Sequence, residues 1–472
     1  MPALLLPWEE STPAPVQAGT GVITDLLATI DALTVENATL RARVQELEQQ
    51  VETLTQQVAQ ATARPYKANR PPADPEAPKT DRKKRTTGNT TRRREPATRE
   101  VRHAPTGCPD CGRPLLGAAT EHRRRQVLDI PDTPYEVVDH VICSRHCGYC
   151  DRRVLAQPTP AEVGALPDAR IGLRLMAKVT DLLITYRLPY DQVQRFLAQT
   201  HGLHLAAGAL VKIAQKVAAA GLDDLGRIAA EIQAADYAHA DETGWREDGR
   251  HGYLWQFRSQ DACYLTFAFT RSAAVPSALL AEAFTGVLVS DFYSGYSPLA
   301  CRKQRCWVHL LRDGKTLAQE HPETAAFVTG LRDLYRAART TVSPPDYASR
   351  PEAERIRERL AYEQRALALA TPHLRQPADP ARVLAERVER FLAELFVFVE
   401  CPTIPSENNP AERTFRPIVI GRKIWGGSRS AQGSLTKTTL LSLFITWHLR
   451  GITPLEAIPR LLLGHSSLDL AA

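Results

Sequence analysis

The sequence predicts a multidomain α/β protein with an N-terminal coiled coil, a small zinc module, a helical domain and an α/β core that carries an all-helical insertion. Three observations predict this fold class. Apolar residues repeat in heptads near the start, two C-x-x-C pairs follow a basic stretch, and beyond residue 233 strand-like segments alternate with helical ones. The 472 residues, 43% of them apolar, are enough for several hydrophobic cores.

The first part of the chain is predicted to form a coiled coil. β-branched residues occupy one heptad position and leucines the position three residues later, in the series Ile23, Ile30, Val44, Val51, Val58 and Leu26, Leu33, Leu40, Leu47, Leu54. This pattern favours a parallel dimer, and the polar Asn37 in the first series is suited to fixing its register. We therefore expect a homodimer or higher oligomer. An amphipathic helix packed on its own domain is the alternative.

A basic linker is predicted to follow, disordered by itself and in contact with DNA. Residues 64–102 have a net charge of +8, whereas the rest of the chain has −2. The prolines and charges leave too little apolar surface for folding, and concentrated positive charge suits a polyanion such as nucleic acid. A plain solvated linker is the alternative. The candidate DNA-binding residues here are Arg82, Lys83, Lys84, Arg85, Arg92, Arg93 and Arg94.

Two C-x-x-C pairs come next, Cys108 with Cys111 and Cys147 with Cys150. Four thiolates at this spacing suit one tetrahedral Zn²⁺ ion, which a module this small needs in order to fold. We predict a structural zinc site with these four ligands, and a strand over 137–142 between the pairs. The alternative ligands are Cys143, His140 and His146.

The chain has no apolar run of the ~18 residues that a membrane span requires, and its first residues lack the basic region of a secretory signal. We therefore expect a cytoplasmic protein with no membrane partner. Thiols stay free in such a reducing compartment, which favours metal binding over disulfides for the clustered cysteines.

Helical patterns over 154–232, broken at His201-Gly202, predict a helical DNA-binding domain, either a helix-turn-helix or an ordinary bundle. The pattern then changes to strands, and a right-handed crossover would return the fourth strand beside the first. The strands are predicted at 236–243, 253–258, 263–270 and 287–290, with a helix over 273–284. The predicted segments are thus the coiled coil (1–62), basic linker (63–104), zinc-binding module (105–153), helical domain (154–232), catalytic core (233–422) with a helical insertion at about 310–400, and a C-terminal helical region (423–472).

Three carboxylates are the candidate catalytic residues. Asp241 and Asp291 lie on strands that are expected to be neighbours, and Glu412 lies at the start of a later helix. Hard oxygen ligands of this kind hold two Mg²⁺ ions, or Mn²⁺ ions, that catalyse displacement at a phosphodiester. Glu412 has an alternative role in capping its helix, with Asn409 as N-cap and Pro410 at the first helical position.

Several motifs together resemble the insertion-sequence 66 transposases, over nearly the whole chain. Besides the coiled coil and the C-x-x-C pairs, the resemblance rests on Asp241-Glu-Thr, Asp291-Phe-Tyr-Ser-Gly-Tyr, Cys306-Trp-Val-His309, Asn408-Asn-Pro-Ala-Glu412-Arg and Gly421-Arg-Lys-Ile-Trp425. It implies a ribonuclease H-like core in which Asp241, Asp291 and Glu412 form a DDE triad. The chain departs from the family pattern by having Glu407 and Ile424, and Glu407 is therefore the reserve candidate for the third acid.

The resemblance implies a bacterial DNA transposase, nucleoid-associated when bound to DNA, that cleaves the ends of an insertion sequence and joins them to target DNA. Small accessory transposition proteins are implied as further partners. Two alternatives are a DNA-binding regulator with an inactive core, and a ribonuclease H-like nuclease that cuts without joining.

A few other residues complete the predictions. Cys306 and His309 are too few for a zinc site, so a packing and hydrogen-bonding role is preferred for them. Basic residues after Glu412 are further candidate contacts to DNA phosphates, namely Arg416, Arg422 and Lys423. The tryptophans expected in the hydrophobic core, rather than stacked on bases, are Trp245, Trp255 and Trp425.

Overall fold

The structure is a computed structural model that describes residues 20–62, 100–106, 110–114, 118, 122, 134–147, 149–167, 169–280 and 283–471. The chain divides into two compact units, Met1–Val127 and Leu128–Ala472, and each is described by itself. The predicted basic residues from Arg82 to Arg94 and the predicted zinc ligand Cys108 lie outside the described residues. Among the described helices, none has both the length and the apolar character needed to cross a membrane.

The helices and strands have the following bounds. The first unit contains α1 (Thr20–Thr62). The helices of the second unit are α2 (Pro160–Val163), α3 (Leu173–Ile184), α4 (Tyr190–His201), α5 (Ala207–Ala220), α6 (Leu222–Ala234), α7 (Ala274–Leu280), α8 (Trp307–Glu320), α9 (Ala325–Thr341), α10 (Glu352–Ala370), α11 (Arg382–Arg390), α12 (Leu392–Leu395), α13 (Val397–Glu400), α14 (Asn409–Trp425), α15 (Ala431–Arg450) and α16 (Pro454–Leu462). Its strands are β1 (Ser144–Cys147), β2 (Arg152–Leu155), β3 (Tyr237–Glu247), β4 (Arg250–Arg258), β5 (Cys263–Ala268), β6 (Val287–Ser290) and β7 (Arg302–Arg305).

Helix α1 runs without interruption over the predicted heptads. Apolar residues of both heptad positions are between 45% and 62% exposed, namely Leu33, Leu40, Val44, Leu47 and Val51. An exposed apolar stripe at this spacing is typical of a helix that pairs with another helix. The predicted helix is confirmed, and its pairing into a coiled coil stays a prediction.

Strands β1 and β2 form an antiparallel hairpin in which Cys147 pairs with Arg152. The second C-x-x-C pair lies at the turn of this hairpin. The expected strand over 137–142 is wrong, because these residues form no strand and Val137 and Val141 are exposed. Apolar character alone does not make a strand where no neighbouring strand pairs with its backbone.

The rest of the second unit is built on a five-stranded sheet with the order β5-β4-β3-β6-β7. β3, β4 and β5 form an antiparallel meander, whereas β6 and β7 run parallel to β3. The predicted return of β6 beside β3 is confirmed, with His239 opposite Val289. The edge strand β7 was not predicted, because Arg-Lys-Gln-Arg lacks the apolar residues that identify a strand.

Two large hydrophobic clusters stabilise the second unit. One joins the sheet to α3, α5, α6, α15 and α16, and it contains Trp245 and Trp255, which are 1% and 0% exposed. The other lies among the helices between β7 and α14 and includes Trp307, Phe396 and Phe398. The predicted helical structure between about 310 and 400 is therefore confirmed, and these helices have a core of their own.

Helix α14 carries Glu412 and is continuous from Asn409 to Trp425. Asn408 is its N-cap residue, so the predicted capping arrangement with Asn409 as N-cap is wrong by one position. Pro417 does not break the helix, although a proline removes one intrahelical hydrogen bond. Burial of Phe415 and Ile418 on either side of it holds the helix against the core.

Candidate active site

The parallel pair β3 and β6 places two of the predicted acids side by side. Asp241 lies within β3, Asp291 directly follows β6, and each lies two positions beyond the pair formed by His239 and Val289. The Asp241 Oδ1 atom accepts a hydrogen bond from the N–H of Glu242 at 2.9 Å. Asp291 Oδ1 accepts one from the N–H of Tyr293 at 2.9 Å.

Glu412 reaches the same place from α14. Burial raises the pKa of Asp241 to about 8, and the charges of Glu242, Asp291 and Glu412 contribute to the rise. The Glu412 Oε1 atom is buried and forms no hydrogen bond with the described residues. His309 Nε2 lies 3.3 Å from it, without hydrogen-bond geometry. Among the described residues, no lysine or arginine forms an ion pair with Asp241, Asp291 or Glu412, and of the basic side chains only His309 lies within ion-pair distance of one of these carboxylates.

The donor chemistry of this site fits a hard divalent cation. Carboxylate oxygens are the ligands that Mg²⁺ prefers, and the buried Glu412 Oε1 is one that the described residues leave free of hydrogen bonds. Within the described part of the chain, no three His, Cys, Asp or Glu side chains are already spaced as a metal site. A cation would stabilise the charged form of Asp241, whose pKa is raised first by burial and then by the neighbouring carboxylate charges.

The buried side chain of Asn408 fixes the start of α14 against β3. Its Nδ2 donates to the carbonyl of Ala240 at 2.9 Å, and its Oδ1 lies 2.9 Å from His239 Nδ1. Its backbone N–H donates to Cys306 Sγ at 3.1 Å. Burial lowers the pKa of His239 to about 4, so the ring is neutral at pH 7 and its Nδ1–H donates to Asn408. These contacts set the approach of Glu412, four residues later, to Asp241.

A buried arginine fixes the other acid. Arg305, 0% exposed at the end of β7, donates from Nη1 to the carbonyl of Asp291 at 2.8 Å and to Ser290 Oγ at 3.2 Å. Its Nε donates to Glu394 in α12 at 2.6 Å. The backbone at Asp291 is therefore tied to the helices that precede α14.

The structure adds two residues to the site that the sequence analysis had not assigned to it. His309, for which a packing role was preferred, lies against Glu412, and its place in the Cys306-Trp-Val-His309 motif is the feature that could have identified it. Glu242 points to the opposite face of the sheet from Asp241, as alternation along a strand requires. Its carboxylate accepts hydrogen bonds from Tyr296 and Arg271. The reserve acid Glu407 precedes α14 and forms no hydrogen bond or ion pair among the described residues.

The predicted DNA-contacting residues of α14 differ in orientation. Arg416 and Lys423 are exposed. Arg422 is turned toward the hairpin of β3 and β4, where its Nη1 donates to Thr243 Oγ1 at 3.3 Å and to the carbonyl of Gly244. Trp425 is half-buried and packs against the core, as expected, with Lys437 Nζ 3.6 Å from its ring centroid.

Of the cysteines from Cys108 to Cys150, the structure describes Cys111, Cys143, Cys147 and Cys150. Backbone N–H groups of Cys150 and Tyr149 lower the pKa of Cys147, which favours the thiolate form that binds metals. Cys111 is exposed and is followed by Gly112 at φ +71°, a left-handed conformation that glycine adopts without strain. Cys143 is also exposed, so it stays an alternative ligand.

Comparisons with known proteins agree with these features. Residues 105–151 match the family model described as the zinc-finger binding domain of transposase IS66, and residues 169–435 match the Transposase IS66 family. A relative from Sinorhizobium fredii, the uncharacterized protein y4hP, is 24% identical over 400 residues, which are 75% of this chain and 70% of the relative. The uncharacterized protein y4jO of the same organism is 32% identical over 158 residues, 31% of this chain and 46% of the relative.

The match to the transposase model spans more than half of the chain and includes all three candidate acids. The zinc-finger match covers both C-x-x-C pairs. The resemblance seen in the sequence motifs is therefore confirmed, and the chain belongs to the IS66 family of transposases.

Proposed function

We propose that this chain cleaves and joins DNA strands in a metal-dependent reaction, with Asp241, Asp291 and Glu412 as its DDE triad. The parallel pairing of β3 with β6 carries the proposal, because it brings Asp241 beside Asp291. Burial raises the pKa of Asp241 to about 8, and the charges of Asp291 and of Glu412 from α14 add to the rise. Strongly perturbed carboxylates that share a cleft are typical of functional sites. The oxygen donors suit Mg²⁺, with Mn²⁺ as an alternative.

The sheet is proposed to be a ribonuclease H-like core. The position of Asp241 within β3 and of Asp291 directly after the neighbouring strand β6 supports this assignment. Two bound Mg²⁺ ions would supply activation of an attacking oxygen and stabilisation of the leaving oxygen at a DNA phosphate. The chain itself holds the acids in place through Asn408 and Arg305. In the proposed reaction water first cleaves a strand at the element end, and the released 3′-hydroxyl then attacks target DNA.

Other parts of the chain are proposed to bind DNA and a second copy. The exposed Arg416 and Lys423 support phosphate contacts beside the acids. The zinc module, with Zn²⁺ held by Cys108, Cys111, Cys147 and Cys150, is proposed to bind the element end together with the basic linker. The exposed apolar stripe of α1 supports a homodimer.

The test is strand cleavage and joining by the purified chain with Mg²⁺ and labelled DNA that carries the ends of its own element. Asp291→Asn and Glu412→Gln should each lose both products by about a hundredfold or more, since charge stabilisation by a metal contributes several kcal/mol. Glu407→Gln is the matched control and should keep activity.

Each outcome assigns a function. Activity of Glu412→Gln together with loss in Glu407→Gln would make Glu407 the third acid. Cleavage without joining would indicate a nuclease. A wild-type chain that binds the ends and never cuts them, even with accessory proteins added, would be a DNA-binding regulator.

A further inference from the structure

Arg271, just beyond β5, lies beside the acids on the other face of the sheet. Its Nε and Nη2 atoms both donate to Glu242 Oε1, at 2.8 and 2.5 Å. Its guanidinium carbon lies 4.0 Å from the ring centroid of Tyr293, and the Tyr293 hydroxyl donates to the Arg271 carbonyl. The guanidinium is therefore held by the Glu242 carboxylate and the Tyr293 ring, and the Tyr293 hydroxyl also fixes the backbone of Arg271.

The same contacts connect Arg271 to the catalytic acids. Tyr293, which packs on the guanidinium, donates its backbone N–H to Asp291 Oδ1 at 2.9 Å. Glu242, which accepts from the guanidinium, directly follows Asp241 in β3. Arg271 and Asp291 are close enough for their charges to act on each other. A change in the position of either aspartate would thus move Tyr293 or Glu242, and with it the Arg271 side chain.

The two partners of this ion pair differ sharply in exposure. The Glu242 side chain is 2% exposed, whereas the Arg271 side chain is 44% exposed. The Arg271 Nη1 atom donates to no group in the described part of the chain. One edge of the guanidinium is therefore fixed by Glu242, and the opposite edge faces solvent with free N–H donors.

We propose that the exposed edge of Arg271 binds a phosphate of the DNA strand adjacent to the phosphate that is cleaved. This inference rests on the proposed function, because the acids define where the cleaved phosphate lies. A guanidinium edge matches the oxygens of a phosphate, and little side-chain freedom is lost on binding because Glu242 and Tyr293 already orient it. A fixed cation next to a cluster of carboxylates also reduces the repulsion that an incoming DNA strand meets.

The test measures DNA binding by the full-length chain without Mg²⁺, so that cleavage does not interfere. The probe is a duplex with one end of the element, as a set in which single phosphates near the cleavage position are replaced by neutral methylphosphonates. The matched control is Arg365→Ala, since Arg365 is also exposed and lies 5.1 Å from the ring centroid of Tyr362, in the hydrophobic cluster of the helices between β7 and α14.

We expect Arg271→Ala to weaken binding by about five- to tenfold. The negative slope of log affinity against log salt should become less steep by about 0.9, the value for one lost phosphate contact. In the wild type and in Arg365→Ala, one methylphosphonate should weaken binding about as much as the Arg271→Ala change does. In Arg271→Ala that modification should have no further effect. Arg271→Lys, which keeps the charge, should keep the salt dependence and bind with intermediate affinity.

Two results would overturn the inference. One is a wild-type salt slope and an unchanged methylphosphonate profile in Arg271→Ala, which would leave Arg271 with a structural role only. The other is a wild-type chain that does not bind the element end. If Arg271→Ala does not fold, Arg271→Gln takes its place, and a wild-type salt slope with an unchanged methylphosphonate profile in that variant would overturn the inference in the same way. Cleavage by the wild type with Mg²⁺ tests the proposed function separately.

Discussion

Replacement of Asn408 by alanine tests how the third acid is positioned. The variant removes the side-chain bonds to Ala240 and His239, each worth about 1 kcal/mol net, and leaves two buried polar groups without partners, each at a cost of ~1–3 kcal/mol. Because these groups partly relax, we expect the free energy of unfolding to fall by about 2 to 4 kcal/mol. Asn409→Ala changes the next residue, which is half-buried, and should cost less than about 0.5 kcal/mol.

The assay is urea unfolding in Mg²⁺-free buffer, followed by tryptophan fluorescence. Trp245 and Trp255 lie in the core of the sheet and report on its unfolding. Asn408→Ala should also weaken Mn²⁺ binding by about 10- to 100-fold, as loss of a group that orients a ligand does. Equal stability of Asn408→Ala and Asn409→Ala would refute the reasoning. So would additive losses in the double variant with His239→Ala, because both single changes break the same bond.

Two further predictions concern the acids. The pKa of Asp241 is about 8 in the folded chain and near 4 in the unfolded chain. Between pH 4 and pH 8 the metal-free folded state therefore binds a proton that the unfolded state has lost. The free energy of unfolding of the wild type, relative to that of Asp241→Asn, should fall as pH rises through this range. Mg²⁺ should stabilise the wild type more at pH 8 than at pH 5, and parallel unfolding profiles for the two proteins would contradict the assignment. His309→Ala should weaken Mn²⁺ binding to metal-free protein by about tenfold or more and leave Mg²⁺-independent DNA binding unchanged, with His309→Gln intermediate. Wild-type Mn²⁺ affinity in both variants would show that His309 only packs.

Much of the fold follows from local sequence pattern. Strands β3 to β6 and the crossover were predictable because their apolar residues alternate or run together within a few positions. The edge strand β7 was not, since Arg302 to Arg305 are polar and the burial of Lys303, Gln304 and Arg305 depends on contacts with distant residues. Arg305, for example, is satisfied by Glu394 in α12 and by the carbonyl of Asp291. No local sequence pattern predicts such a contact.

The candidate site also combines residues that local motifs identify with residues whose roles depend on distant contacts. Asp241, Asp291 and Glu412 were identified from motifs, and the parallel pairing explains how the first two become neighbours. Asn408 was part of a recognised motif, yet its role depends on the carbonyl of Ala240, far away in the chain. Arg271 belongs to no motif at all. Its place beside Glu242 follows from how far β5 extends before the chain turns, which is a property of the whole sheet.

The helices between β7 and α14 have a consequence for how the site is assembled. About 120 residues separate Asp291 from Glu412, and a flexible loop of that length would cost about 2 kcal/mol more to close than one of ten residues. Here the helices between β7 and α14 fold around their own hydrophobic core, so packing holds the two ends of this segment at a fixed distance. The interior of this helical body is therefore free to diverge, or to be exchanged for another of equal span, while the spacing of its two ends stays under selection.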